Sequence, residues 1–331
     1  MRDQQMFQGT AGSWYKGNLH SHTMLSDAVL TPEEDARLYR ENGYSFLCIS
    51  DHDLYTDFRA ELNRDDFLIL PGLEYSAILY SADGSRRFKM HHMHGILGNT
   101  AMRQAATAPV FRHRGAVPPL KYYGSWDGAA VAQQMADFLS QRGMLVTYNH
   151  PVWSRVEGRE FLQTKGLWAI EVYNYGTVVE SNTGADTVYW DTMLRQGRRI
   201  TAFASDDNHN IAPLDDSCGG WIMVKAPALT HDDLINAMLA GNYYSSSGPE
   251  IYAYGVTGQV AWVDCSPVAH VHFIAGNEIG DGWSIHGEAH ADTLTHAEYR
   301  LKGHEDYTRI ECVDKWGRTA WTNPLYFDKE K

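Results

Sequence analysis

The sequence is poor in cysteine, in basic residues and in long apolar runs, and each shortage excludes a class of protein. Its four cysteines form no Cys-x-x-Cys pair and no closely spaced framework, which excludes a disulfide-rich scaffold and favours a reducing compartment. The 28 Lys and Arg residues face 41 Asp and Glu residues, and the net charge of −13 argues against a nucleic-acid-binding surface. No apolar run approaches the ~18 residues that span a bilayer, and the N-terminus lacks a signal-peptide core. We therefore expect a soluble, cytoplasmic protein.

Strand and helix signals alternate through the first 250 residues. A capping box from Thr31 to Glu34, with Pro32 at the first helical position, predicts a helix that Gly43 ends. Further helices are predicted over about 127–142, 187–196 and 230–240. This alternation predicts an α/β fold with a parallel sheet, either open or closed into a barrel. We favour the barrel, because closure would gather polar residues that follow five or six different strands.

Two stretches depart from the strand–helix rhythm. Residues 78–130 contain a turn-like segment at 81–87 and the helix-breaking pair Pro118-Pro119, which predicts an insertion or long loop close to the site. From residue 249 onward, short alternating runs and frequent turns predict a small antiparallel β unit of ~80 residues. The sequence thus divides into a barrel over 1–248 and a β domain over 249–331.

Histidines and carboxylates recur at or just beyond the ends of the predicted strands. His20 and His22 point to the same side of an extended chain and could grip one cation, with Asp27 close behind them. Imidazole nitrogens and carboxylate oxygens are ligands of zinc, manganese and iron. Gathering such groups without cations would be costly. The other residues in this kind of position are His52, Glu74, His150, Asp207 and His209.

Two further sets of histidines are interpreted differently. In the run 91–94, alternation places His92 and His94 on one face and His91 on the other; His94 is slightly favoured as a ligand, and His92 is the alternative. The histidines beyond residue 250 have no such context, and a solvated face is the better interpretation for them. They are His270, His272, His286, His290, His296 and His304.

The order of these motifs resembles that of a known family. His-x-His with an Asp five residues on, then Ser-Asp-His-Asp, Gly-Leu-Glu, Asn-His-Pro and Asp-x-His, is similar to the polymerase and histidinol phosphatase (PHP) family of metal-dependent phosphoesterases. The resemblance covers about residues 13–248 and implies a distorted (β/α)7 TIM-like barrel with two or three divalent ions, Zn, Mn or Fe. Much less specifically, the C-terminal part resembles a small β-sandwich that one branch of the family carries.

The resemblance also implies which residues hold each ion. Glu74 would bridge the first and second ions. Because an acidic residue stands at position 27, where the family often has histidine, two ions are an alternative to three. The first ion would be held by His20, His22, Glu74 and Asp207, the second by Glu74, His150 and His92 or His94, and the third by Asp27, His52 and His209.

The function expected from this site is hydrolysis of small phosphate mono- or diesters by a hydroxide that bridges two ions. No Gly-x-Ser-x-Gly elbow, Walker loop or Gly-x-Gly-x-x-Gly is present, which excludes the matching covalent and nucleotide-binding mechanisms. Arg155 is the predicted phosphate-binding residue. Hydrolysis of a carboxylic or carbamic ester or amide at the same ions, and a non-catalytic domain, are the alternatives; the oligomeric state stays open. The predicted catalytic residues are Glu74, His150, Asp207 and His209.

Overall fold

The structure is a computed structural model that describes residues 3–7, 11–276 and 278–327. The outermost ends of the two predicted units, 1–2 and 328–331, therefore lie outside the described residues. The helices are α1 Pro32–Glu41, α2 Arg59–Leu62, α3 Thr100–Gln104, α4 Gly128–Ser140, α5 Tyr175–Ser181, α6 Thr187–Arg195 and α7 His231–Leu239. The strands are β1 Gln4–Met6, β2 Ser13–Asn18, β3 Phe46–Ile49, β4 Leu54–Thr56, β5 Leu68–Tyr80, β6 Arg87–Leu97, β7 Arg114–Ala116, β8 Leu120–Tyr123, β9 Met144–Tyr148, β10 Ala169–Asn174, β11 Thr201–Ser205, β12 Trp221–Ala226, β13 Tyr243–Ser246, β14 Ile251–Thr257, β15 Val260–Val268, β16 His270–Gly276, β17 Trp283–His286, β18 Leu294–Arg300, β19 Tyr307–Val313, β20 Thr319–Thr322 and β21 Leu325–Tyr326.

The helix signals in the sequence are confirmed to within a residue or two. The side chain of Thr31 accepts a hydrogen bond from the backbone N–H of Glu34, whose carboxylate accepts one from the Thr31 N–H, so the capping box forms. The side chains of Asp127 and Thr230 likewise accept from the backbone N–H three residues on, at the starts of α4 and α7, but without the reciprocal bond of a capping box. The starts of α1, α4 and α7 are thus fixed by local side-chain chemistry.

The main sheet is mixed. Its strands lie in the order β11-β10-β9-β6-β5-β3-β2-β12-β13. Strand β6 is antiparallel to both β5 and β9, and β12 is antiparallel to both β2 and β13. The expectation of a parallel sheet was therefore wrong at these positions, because β5 and β6 form a long hairpin instead of a strand–helix unit.

Strands β2 and β11 approach each other just beyond their ends. The Asp207 N–H donates to the His20 carbonyl at 2.9 Å, and the His22 N–H donates to the Asn208 carbonyl at 3.2 Å. These bonds bring the segments after the first and last strands of the predicted barrel together. They are not a ladder between the two strands, so a closed (β/α)7 barrel stays a prediction.

The segment 78–130 contains the end of β5, all of β6, α3, β7 and β8. The β6 part pairs with β5 and β9 inside the sheet. This segment thus supplies core strands, whereas the sequence predicted an insertion or long loop.

The C-terminal part is antiparallel, as predicted, but it does not stand apart from the rest. Strands β1, β14, β15 and β18 form a separate sheet, in which the N-terminal β1 pairs with β14. Strand β20 pairs with β13, so β16, β17, β19 and β21 extend the main sheet. The proposed boundary at 248/249 is therefore crossed by continuous sheet.

A buried ion-pair cluster fastens the C-terminal part to the first. The Arg309 side chain on β19 is only 1% exposed and donates to both carboxylate oxygens of Asp191 on α6, at 2.8 and 2.9 Å. It also contacts Glu311 at 2.6 Å and lies over the Trp190 ring.

Among the described residues, no helix is both long and apolar enough to cross a membrane.

Candidate metal centre

Glu74 lies at the centre of a buried group of imidazoles and carboxylates. It lies in the middle of β5, where its cross-strand partner on β6 is His94, and His52 bridges to it from the other side. Its Oε1 atom is 3.3 Å from His20 Nε2 and 3.2 Å from His150 Nε2. Glu74 is fully buried; strand pairing places His94 and His52 beside it, and His20 and His150 reach it from the segments after β2 and β9.

The other oxygen of Glu74 faces a second set of rings. Its Oε2 atom lies 3.1 Å from His52 Nδ1, 3.2 Å from His92 Nδ1 and 3.5 Å from His22 Nε2. By contrast, His94 Nε2 is 3.9 Å from Oε1. These distances favour His92 over His94 as a partner of Glu74, opposite to the preference taken from the sequence. His91 points to the other face, as predicted, where its Nδ1 contacts the Tyr148 hydroxyl at 2.5 Å.

Asp207 closes the inner part of the group. Its Oδ1 atom is 2.9 Å from both His20 Nε2 and His22 Nε2. Asp207 and His150 both have a positive φ, of 56° and 26°. Residues held in such backbone regions cost free energy and cluster at functional sites.

An outer group lies nearer to solvent. Asp27 contacts His209 Nε2 at 3.3 Å and His52 Nε2 at 3.5 Å. The Asp27 side chain is 55% exposed, and those of His52 and His209 are each 23% exposed. The predicted third set of ligands therefore comes together, with His22 also in reach.

Several of these atoms approach one another without forming hydrogen bonds. Asp207 Oδ1 and Glu74 Oε2 are buried and have no hydrogen-bond partner, although imidazole nitrogens lie within 3.5 Å of each. Both ring nitrogens of His94 are also buried and have no hydrogen-bond partner. An unpaired buried polar group costs about 1–3 kcal/mol, so an unfilled group of this kind would be strongly destabilising. The donor atoms therefore point at common positions between them, as ligands of cations do, and fit divalent ions of the zinc, manganese and iron type.

The electrostatics of the inner group agree with cation binding. Burial would lower the pKa of His20, but the carboxylates of Asp207 and Glu74 raise it well above its ordinary value. Burial would raise the pKa of Glu74, but the rings of His92 and His20 hold it well below its ordinary value. For His92 burial dominates and lowers the pKa to about 4. The cluster thus combines ionised carboxylates and a neutral His92, the forms that bind a metal, with a protonated His20, whose proton a bound ion would displace.

Glu171, on β10, supports the cluster from behind. Its carboxylate accepts hydrogen bonds from His20 Nδ1 at 2.8 Å and from the His150 N–H at 3.0 Å. Carboxylates that hold the far nitrogen of a ligand histidine fix its tautomer and orientation. The sequence analysis gave Glu171 no role. A charged residue inside the apolar run 169–172 was the signal, because a buried charge needs partners.

A cavity of about 410 Å³ opens over the outer side of the cluster. Trp153 and Glu180 form part of its wall, and the Trp153 indole donates to the Glu180 carboxylate at 2.6 Å. The one Lys or Arg among the described residues that line it is Arg87, which the sequence analysis did not single out. Arg155 is exposed and does not line this cavity. The ten residues predicted as metal ligands thus lie close together, whereas Arg155, the predicted phosphate-binding residue, lies outside the cavity.

Among known proteins, this chain is similar to solved structures. No protein-family model matches the chain, and no curated protein matches it. Nine chains of solved structures match it, among them two crystal structures. One is a two-domain protein from Bacteroides vulgatus ATCC 8482 that contains a predicted PHP-like metal-dependent phosphoesterase, with 12% identity, 95% of this chain and 96% of that chain covered, and a TM-score of 0.46. The other is a candidate metal-dependent phosphoesterase from Bifidobacterium adolescentis ATCC 15703, with 14% identity, 68% and 95% covered, and a TM-score of 0.39.

The chain is thus similar to PHP-like metal-dependent phosphoesterases of known structure, the kind of protein that its motifs predicted. TM-scores this low carry no argument about fold or activity. The functional conclusion rests on the chain's own residues.

Proposed function

We propose that this protein is a metal-dependent hydrolase whose substrates are small phosphate mono- or diesters. The observation that carries the proposal is the convergence of Glu74 and Asp207 with the surrounding imidazoles, at distances below 3.5 Å and without hydrogen bonds between several of the facing atoms. A purely structural polar network would satisfy its own donors and acceptors.

Beside the set of His20, His150 and Glu171, three overlapping sets of side chains could hold ions, and Glu74 belongs to two of these three. This supports a bridging role for Glu74 and two or three ions in total. Divalent ions, when bound, supply Lewis acidity towards a phosphoryl oxygen and lower the pKa of water to near neutrality. The sets are His20, His22, Glu74 and Asp207; His52, Glu74 and His92, next to His150; and His22, Asp27, His52 and His209.

The chain's own groups position the substrate and move protons. Arg87 at the cavity mouth offers a guanidinium that can bind two phosphate oxygens at once. With two ions bound and the outer set empty, His209 in the cavity wall can protonate a leaving group while Asp27 holds its ring; with three ions, His209 is a ligand instead. Glu74 and Asp207 both contact His150, and the three side chains order the reacting end of the cavity. In this proposal Arg87 takes the role that the sequence gave to Arg155.

One observation favours a second candidate, hydrolysis of a carboxylic or carbamic ester or amide at the same centre. Beside the single Arg87, the cavity wall carries the carboxylates of Asp53, Glu180 and Asp216. A phosphate dianion usually needs Arg or Lys in addition to metal, and an acidic wall repels it. A neutral ester or amide meets no such penalty.

The test compares hydrolysis of p-nitrophenyl phosphate, bis-p-nitrophenyl phosphate and p-nitrophenyl acetate by protein that has been chelated and then reloaded with Mn or Zn. We expect release from a phosphate ester that needs metal and is lost in Glu74→Gln. Release from the acetate alone, with the same metal dependence, would move the reaction to carbon. No metal-dependent release from any of the three would contradict the hydrolase proposal for simple esters.

A matched pair of arginine variants tests substrate binding. In Arg87→Gln we expect KM for the phosphate ester to rise about tenfold or more, since a hydrogen bond to a charged group contributes about 1.5–3 kcal/mol. Arg155→Gln is the control and should leave KM within about twofold, because surface changes away from a site have small effects. Equal effects of the two variants would remove Arg87 from the proposal.

A further inference from the structure

Three histidines of the C-terminal part form a second cluster, far along the chain from the first. His270 on β16 and His286 on β17 are directly opposite each other, and their Nδ1 atoms lie 2.8 Å apart. The ring of His290 lies 5.3 Å from that of His270 and 5.9 Å from that of His286, measured between centroids. One nitrogen from each of the three rings lies within 4.8 Å of the others. The solvated-face prediction for these residues foresaw their exposure and missed their grouping.

The third ring reaches the pair through an unusual turn. Ala289 and His290 have φ values of 49° and 57°, in the left-handed region that is uncommon outside Gly, Asn, Asp and His and that Ala rarely adopts. That turn directs the chain after β17 back towards β16. His272, on the same face of β16, is held instead by the Ser284 hydroxyl at 2.7 Å. The cluster therefore consists of three rings, with a fourth beside them that has its own partner.

We propose that His270, His286 and His290 bind a zinc ion at a site separate from the centre around Glu74. Three neutral imidazoles suit zinc, and also copper(II) and nickel(II). Zinc at about 2.0–2.1 Å from each nitrogen places neighbouring nitrogens about 3.3 Å apart in a tetrahedral site. The 2.8 Å separation of His270 and His286 needs only a small opening to match this.

The fourth position of such a site faces solvent, because His286 and His290 are both exposed. The role that fits a site this open to solvent is mechanical. Strand β17 has four residues and pairs with β16. A zinc ion would tie this short strand and the turn after it to the main sheet.

The experiment counts zinc ions on the metal-reloaded protein after equilibrium dialysis at micromolar zinc, followed by elemental analysis. The variants are His286→Ala and His290→Ala, and the control is His113→Ala, an exposed histidine outside the cluster. We expect each cluster variant to hold one ion fewer per chain than the wild type, while His113→Ala holds the wild-type number. Ester hydrolysis should be unchanged in all three, because the centre around Glu74 is untouched.

Two results would overturn the proposal. Equal ion numbers in the wild type and His286→Ala would show that the cluster holds no zinc. Loss in His286→Ala but not in His290→Ala would show a two-ligand surface contact in place of the three-ligand site. As a second measurement, zinc should raise the thermal midpoint of the reloaded wild type and of His113→Ala by more than it raises that of either cluster variant.

Discussion

Glu171→Gln is the substitution that most directly tests how the metal centre is held in place. The carboxylate accepts four hydrogen bonds: two reach Oε1, from His20 Nδ1 and the Ser205 hydroxyl, and two reach Oε2, from the His150 N–H and Asn174 Nδ2. Glutamine keeps the size of the side chain but replaces one acceptor oxygen with an NH2 group. In either orientation, the two donors that reached the replaced oxygen then face the NH2 group, which is itself a donor.

Each orientation of the glutamine has its own consequence. If the NH2 group replaces Oε1, the Ser205 hydroxyl can rotate away, but His20 must move its proton to Nε2. That nitrogen lies 2.9 Å from Asp207 Oδ1, on the metal side of the ring, so the new tautomer blocks a ligand atom. If the NH2 group replaces Oε2, the backbone N–H of His150 has no way to turn. In either orientation, one buried hydrogen bond to residue 171 is lost, at a cost of about 1–3 kcal/mol.

This cost should appear as weaker metal binding, since the loaded centre needs both rings in their present orientation. A coupling of about 1–3 kcal/mol corresponds to about a 5- to 150-fold lower affinity, in line with the effect of losing a partner behind a ligand histidine. The assay is competition for Zn or Mn against a chromophoric chelator, with hydrolysis measured at limiting and at saturating metal. Activity should recover at saturating metal, because Glu171 acts through the rings and does not touch the substrate.

The matched control is Glu180→Gln, which makes the same chemical change in the cavity wall, where the carboxylate accepts a bond from the Trp153 indole. It should leave metal affinity within about twofold. Equal metal affinity of Glu171→Gln and the wild type would refute the argument. So would an activity loss that saturating metal does not repair.

Three further outcomes are expected. Arg309→Met should lower the free energy of unfolding by about 3–5 kcal/mol, because it leaves the half-buried carboxylates of Asp191 and Glu311 without their partner; urea unfolding that shows a loss below about 1 kcal/mol would contradict this. Burial raises the pKa of Asp35 from 3.8 to about 7, so the folded state keeps a proton that the unfolded chain releases, and stability falls as pH rises through that window. Asp35→Asn should therefore gain stability relative to the wild type between those two pH values in unfolding curves, and a constant difference would be evidence against the shift. Chelation should lower the thermal midpoint, because it returns Glu74 and its neighbours to a buried group without cations; an unchanged midpoint in scanning calorimetry would count against metal binding.

The features that the sequence predicted well depend on neighbours along the chain. The Thr31 capping box and the helix ends follow from short-range rules, and they are confirmed. The predicted position of Glu74 just after a strand was wrong, because Glu74 lies inside β5. Candidate ligands such as His20, His150 and Asp207 do follow β2, β9 and β11, and they could be named before the strand order was known.

The features that it missed depend on register between distant segments. Whether His92 or His94 faces Glu74 is decided by a difference of under 1 Å across the β5–β6 hairpin, which alternation along one strand does not resolve. Arg87 enters the cavity because β6 doubles back on β5, where an insertion had been expected. The opposition of His270 and His286 likewise follows from the pairing of β16 with β17.

The continuous pairing of β13 with β20, and of β1 with β14, affects how this chain can be shortened. Cutting after residue 248 would leave β13 with a row of unpaired N–H and C=O groups and would remove the strand on which β1 docks. An uncovered edge of this kind invites pairing with other chains. The C-terminal part is therefore not a detachable module, and fragments designed from the apparent boundary should aggregate where the full chain does not.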